Sequence, residues 1–324
     1  MALRVRAAME AISLAMADQT DRGEVAFYIP ELATSDPQNF AMSVSLASGE
    51  QISVGTSDTA FSIQSISKIF TLAIALGRFG DGFWRRVGRE PSTMAFNSIQ
   101  ELEIRKGRPA NPFVNAGAIT TTDMILAGST PAECIGEILQ FVRLAASDDE
   151  IFVNPAVAAS ETATGHKNWA LAHVLTAFGN LEHPCEMTLG VYFHQCAIAM
   201  TCAQLARCGR FLAGFDAEQD LVAAKHVRSI NALMMTCGHY NGSGEFAYRV
   251  GIPSKSGVGG GILAIVPHVA SIAVWSPGLD RDGNSLLGIQ ALELLSESMG
   301  WSLFQGATSS LDNPLVSNRS RTCR

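Results

Sequence analysis

Phe61-Ser62-Ile63-Gln64-Ser65-Ile66-Ser67-Lys68 is the stretch on which the fold turns. Upstream of it, Ala41 to Gly55 runs through Met42, Val44 and Leu46, turns at Ser48-Gly49-Glu50 and resumes at Ile52 and Val54, the alternation of a β-hairpin. From Ser62 the period becomes helical, with Ile66, Ile69, Phe70, Ala73 and Ile74 on one face and Gly77 placed to stop the helix. A hairpin that feeds straight into a buried helix sets Ser65 and Lys68 at the helix N-terminus. Their three-residue spacing brings hydroxyl and amine onto one face. A serine needs a base to become a nucleophile, and a lysine serves once burial and nearby positive charge depress its pKa toward neutrality. Roughly one chance S-x-x-K occurs in a chain of this size, so the context has to raise the signal.

Working outward, residues from about 80 to 240 carry helical patterns separated by Gly, Pro and Asn clusters, including Pro131 to Ala145, Asn168 to Phe178 and Thr188 to Leu212. Strand chemistry returns late. Glu245 to Val250 reads as a strand, and Gly261 to Val266 and Ala270 to Trp275, separated by Pro267-His268-Val269, read as a hairpin. Before the first hairpin lie an amphipathic helix carrying Leu3, Ala7, Ile12 and Leu14 and a loop or short extended segment from Gly23 to Asp36. A terminal helix from Ser285 to Met299 precedes a polar tail, Ala307 to Arg324, that reads as disordered. The predicted fold class is therefore α/β of the α+β kind. An antiparallel sheet is completed by both ends of the chain (1–60 and 241–300), a mostly helical subdomain (61–240) is inserted, and the tail is 301–324. The seam between sheet and insert is the natural place for a site.

Composition narrows the class. A 324-residue chain that is 47% hydrophobic buries a sizeable core, and a net charge of −7 without a basic run gives no footprint for nucleic acid. Seven cysteines, an odd number with no C-x-x-C pair, read as reduced cytoplasmic thiols rather than a secreted framework. Glu10 interrupts the apolar stretch that would otherwise imitate a secretory signal, and no apolar run approaches a membrane span. The expected setting is the cytoplasm. His183, Cys185, His194, Cys196 and Cys202 match no structural zinc spacing, with Cys196 to Cys208 reading as one face of a buried helix, so no metal is expected.

The second motif is Lys255-Ser256-Gly257-Val258-Gly259-Gly260-Gly261, which leads into a strong strand. It resembles the K-[ST]-G element lining the active sites of serine β-lactamases and penicillin-binding proteins. Its glycines let a substrate lie against the strand edge, leaving the Val258 N–H to pair with the Ser65 N–H as an oxyanion hole. A glycine-rich turn before a strand is the plain alternative for this segment alone. Three further segments carry the likeness: Asn111-Pro112-Phe113-Val114-Asn115-Ala116-Gly117-Ala118-Ile119, Ser160-Glu161-Thr162-Ala163-Thr164-Gly165-His166-Lys167-Asn168 and Tyr192-Phe193-His194-Gln195-Cys196. With the two motifs and Cys237-Gly238-His239-Tyr240, the chain closely resembles the bacterial-type glutaminase family from about residue 24 to 300. The departures, Asn241 and Ala197, touch no residue of the expected chemistry.

The resemblance implies a serine β-lactamase/transpeptidase-like fold, L-glutamine as substrate, no cofactor and a homo-oligomer, dimer or tetramer. It makes Ser65 the nucleophile and Lys68 its partner, with Tyr192 near enough to share proton transfer; which of the two is the base stays open. It assigns substrate contacts to Ser65, Asn115, Glu161, Asn168, Tyr192 and Tyr240 and to the Val258 backbone, with Gln64, Lys255, Ser256 and Gly257 lining the site. The chemistry fits a free amino acid: Glu161 suits an ammonium, and Asn and Tyr donors suit a carboxylate. Two other classes share the motifs. A β-lactamase or DD-peptidase-like hydrolase would need export, and a catalytically silent sensor would have lost Ser65 or Lys68.

Overall fold

The computed structural model describes residues 1–215 and 221–305. Its centre is a five-stranded antiparallel sheet of β1 (Ala41–Leu46), β2 (Gln51–Gly55), β3 (Ser254–Ser256), β4 (Gly261–Val266) and β5 (Ala270–Trp275), in the order β2-β1-β5-β4-β3. Trp275 sits opposite both Ala41 and Gly261, so the N-terminal hairpin joins the C-terminal one through β1 and β5. Alternation assigns the two faces. Met42, Val44, Ile262, Ala264, Ile272 and Val274 point to helices α1 (Ala2–Ala17) and, late in the chain, α9 (Leu286–Met299). Ala41, Leu263, Ile265, Ala273 and Trp275 point to the helical middle of the protein.

In that middle, α2 (Ser67–Phe79) is buried along ten consecutive residues, Ser67 to Leu76, and α3 (Asn115–Leu126) along all 12. Around them stand α4 (Pro131–Ala146), α5 (Pro155–Thr164), α6 (His166–Ala177), α7 (Cys185–Cys196) and α8 (Ala224–Cys237). No helix among the described residues is long and apolar enough to cross a membrane.

Five expectations are corrected. Leu3, Ala7 and Leu14 do not lie on the packed face of α1, which buries Val5, Met9, Ile12 and Met16 and leaves Leu3 and Leu14 exposed. Glu245 to Val250 is not a strand but the end of a helix, Ser243–Arg249, because Phe246 and Val250 at i and i+4 enter the core together while Tyr248 stays 89% exposed. Thr188 to Leu212 is not one helix. Chain leaving α7 forms a short strand, Ile198–Met200, between Phe61–Ser62 and Phe152–Val153, and a Thr201/Gln204 capping box starts the helix Cys202–Cys208. Cys196 and Cys208 therefore do not share a helix face. Gly77 does not stop α2, which runs on to Phe79 and breaks at Gly80 with φ +49°. Finally α6 begins at His166 rather than Asn168. The expected loop from Gly23 holds a two-residue strand, Glu24–Val25, paired with Gly278–Leu279. The disorder expected of the tail falls outside the described residues.

Candidate active site

Ser65 stands in a 3-10 turn, Gln64–Ile66, at the entry to α2. The turn is strained: Gln64 has φ +50°, a left-handed backbone that costs a non-glycine residue about 1–3 kcal/mol. Hydrogen bonds hold it there. Ile63 N–H donates to Ile198 O at 2.9 Å, Gln64 Nε2 to Ser62 Oγ at 2.9 Å, and Ser62 Oγ to Cys196 O at 2.8 Å. The glycine-rich segment after β3 presses against the same turn. A Cβ on Gly257 would lie 2.5 Å from Ile63 O and 3.3 Å from Ser65 N, so only glycine lets the two backbones come this close. Neither the Ser65 nor the Val258 N–H has a hydrogen-bond partner among the described residues.

These two residues border a cavity of about 630 Å³ at the seam, also lined by Gln64, Asn115, Glu161, Asn168, Tyr192 and Cys196. Lys68 lies beneath it, 1% exposed, donating to Asn115 Oδ1 at 2.7 Å and to Phe113 O at 3.2 Å. Burial lowers its pKa to about 8, opposed by the negative charge that Cys196 and Glu161 can carry. Asn115 in turn donates through Nδ2 to Asn168 Oδ1 at 2.9 Å, which fixes both amides. Glu161 is 5% exposed, and its Oε1 has no hydrogen-bond partner. Burial lifts this carboxyl to about pKa 7 against the pull of Gln64 and the charge of Lys68. The Tyr192 phenol is pushed well above its usual range, first by burial and then by Cys196, Glu161 and Tyr240.

Of the residues singled out in the sequence, Ser65, Gln64, Asn115, Glu161, Asn168, Tyr192 and Val258 meet at this one cavity. Tyr240 does not border the cavity: its hydroxyl is buried behind it, beside Ser65 and Ser256, without a hydrogen bond of full geometry, and its pKa rises to about 12 through burial. Lys255, Ser256 and Gly257 do not border the cavity. Lys255 is wholly buried, donates to Gly238 O and Ser256 O, and holds its ammonium 4.4 Å from the Tyr240 ring centroid. It supports the wall from the rear. Tyr28, Phe96 and Cys196 line the cavity without having been anticipated as site residues. Tyr28 follows no periodic pattern, and Cys196 reads as a core thiol.

The histidines and cysteines near residue 190 do not gather. His183 Nδ1 faces Asp123, Cys185 lies 3.7 Å from His173, Cys202 donates to Ala41 O, and Cys196 turns into the cavity.

Comparison with known proteins shows the family. The glutaminase family model matches residues 23–304. A glutaminase of Rhodopseudomonas palustris (strain BisB5) is 60% identical over 293 residues, which are 89% of this chain and 94% of that protein. A thermolabile glutaminase of Rhizobium etli is 55% identical over 93% of this chain and 98% of its own length. Among solved structures, the probable glutaminase ybaS superposes with a TM-score of 0.90 at 36% identity, covering 94% of this chain and all of the other. A probable glutaminase of Bacillus subtilis gives 0.82 at 31% identity over 93% and 97%. The fold is the β-lactamase-like one of these bacterial enzymes, with its antiparallel sheet and surrounding helices. From the match over nearly all of the described residues, the chain belongs to the glutaminase family.

Proposed function

We propose that this protein hydrolyses the side-chain amide of L-glutamine to L-glutamate and ammonia through an acyl-enzyme on Ser65. The observation that carries the reading is the company Ser65 keeps: two unpartnered backbone N–H groups and a buried carboxyl, Glu161, with one oxygen unpartnered share its cavity. A buried carboxylate without a partner is costly, and a substrate ammonium would relieve that cost. Glu161 takes the α-ammonium of glutamine. The side-chain amides of Asn115 and Asn168 take the α-carboxylate, leaving the amide carbonyl over Ser65.

Lys68 is the base. Burial holds its ammonium near pKa 8, so a useful fraction is neutral at physiological pH, whereas burial makes Tyr192 hold its proton more tightly. Ser65 Oγ bonds to the amide carbon and its proton passes to Lys68. The Ser65 and Val258 N–H groups receive the oxyanion. Collapse breaks the C–N bond, and the departing nitrogen takes a proton from Lys68 or Tyr192 to leave as ammonia. Water then attacks the ester, giving a proton to that same group, and as the C–O bond breaks Ser65 Oγ takes a proton back from Lys68, releasing glutamate.

Ammonia release from L-glutamine, assayed beside L-asparagine and a chromogenic β-lactam, tests the reading. Turnover of glutamine is expected. Hydrolysis of the β-lactam alone would assign the site to cell-wall chemistry, and no turnover of any of the three would make the protein a binding module.

A further inference from the structure

Asn284 lies outside the cavity, 1% exposed, yet it joins the two elements that stand behind Ser65. Its Oδ1 accepts from Ser256 Oγ at 2.5 Å, and its Nδ2 donates to His239 O at 3.3 Å. Ser256 belongs to β3, just before the Gly257 that touches the nucleophile turn. His239 immediately precedes Tyr240, whose φ of +54° is another left-handed, strained backbone. Ser243 Oγ clamps the same turn, donating to Tyr240 O at 2.9 Å while accepting from His239 N–H at 3.0 Å. Asn284 is itself pinned, because its N–H donates to Asp280 Oδ1 at 3.0 Å and its carbonyl accepts from Asp280 N–H at 2.7 Å. Only an amide offers one acceptor and one donor in this arrangement, which fixes its orientation.

We infer that Asn284 is a positioning residue for the reaction: by bridging Ser256 to the strained His239–Tyr240 turn it holds the Tyr240 hydroxyl at Ser65. The Tyr240 hydroxyl makes no full hydrogen bond of its own, so its position depends on the backbone that carries it. A displacement of even about 1 Å at a reacting group can cost on the order of 100-fold in rate. The inference rests on the proposed function and adds to it a role for Tyr240, whose hydroxyl is buried beside the nucleophile.

A double-mutant cycle separates the two ideas. Asn284→Ala is expected to lower kcat for glutamine about 10- to 100-fold, with KM changing less than about 3-fold and the circular dichroism spectrum preserved. In a Tyr240→Phe background the same substitution is expected to cost less than about 3-fold, since the hydroxyl it positions is gone. Asn284→Asp keeps the acceptor for Ser256 and loses the donor to His239, so an intermediate loss is expected, and it carries the cycle if the alanine variant does not fold. Equal penalties in both backgrounds, or an unchanged kcat in Asn284→Ala, overturn the positioning role. Wild-type kcat in Tyr240→Phe alone overturns instead the place of Tyr240 in the proposed site.

Discussion

Two groups, Glu161 in the cavity wall and Lys68 beneath it, titrate near neutrality, and both act in the deprotonated form. Glu161, held near pKa 7, must be ionised to bind an ammonium, and Lys68, held near 8, must be neutral to take the Ser65 proton. Each contributes activity that rises with pH. The expected log kcat/KM profile climbs with a slope approaching two below pH 7, falls to a slope of about one up to pH 8 and then levels off. A maximum on the acid side would contradict both assignments. Glu161→Gln is expected to raise KM about 10- to 100-fold, the worth of a charge-assisted hydrogen bond in a desolvated pocket, and to abolish the limb near pH 7 while keeping the one near 8. Wild-type kcat/KM in that variant would remove Glu161 from the site. Much of this chemistry is legible in the chain, because S-x-x-K and K-S-G bring specific groups to a stated spacing. Tyr28 and Cys196 are not, since a loop tyrosine and a helix-end thiol carry no local mark of the cavity they face. Lys255 misleads for a related reason. Its motif reads as a wall of the site, but a fully buried ammonium finds its acceptors in Gly238 O and Ser256 O, away from the cavity.

Among the elements, the close approach of β3 to the nucleophile turn sets the geometry of the oxyanion site. Gly257→Ala places a methyl group 2.5 Å from a backbone oxygen, which neither side can yield without moving Ser65 or Val258. Such overpacking costs about 1–3 kcal/mol of stability. The larger effect is expected on turnover, with kcat down more than about 10-fold while the protein stays folded by circular dichroism. Unchanged kcat would mean that the two N–H groups do not act together. The hairpins were readable because alternation and turn residues agree, down to Gly49 at φ +89°. Helix α3 was not, since all 12 of its residues are buried and a helix surrounded on every side shows no apolar stripe. The segment from Thr188 to Leu212 failed for another reason: the strand Ile198–Met200 exists through pairing with Phe61–Ser62 and Phe152–Val153, partners that no local window contains.

For the molecule as a whole, the cavity depends on separate helices keeping their places, and Asp123 is the residue that fixes two of them. It lies on α3, whose first residue is Asn115, and its fully buried carboxylate accepts from the N–H groups of Glu182 and His183 at 3.0 and 2.9 Å. Those residues lead into α7, which carries Tyr192 and Cys196. Arg86 completes the knot, donating to Asp123 Oδ2 at 2.6 Å and to Asn180 O at 2.9 Å. Burial alone would raise the Asp123 pKa, but the Arg86, Glu182 and His183 hydrogen bonds prevail and lower it. A carboxyl whose folded pKa is depressed contributes stability that is fully present above its unfolded value of about 3.9 and disappears as pH falls through the folded value. Asp123→Ala leaves Arg86 without its buried partner and two backbone N–H groups without acceptors, a loss of about 3–5 kcal/mol by analogy with other broken buried pairs. At pH 7 the melting temperature is expected to fall by about 5–10 °C. Below pH 4 the gap between variant and wild type is expected to narrow, because the wild-type carboxylate is then taking up its proton. Thermal melts of both proteins between pH 3 and 8 read this directly. A pH-independent gap would mean that Asp123 acts by filling space, and equal melting temperatures at pH 7 would remove it as the tie between the helix of Asn115 and the helix of Tyr192.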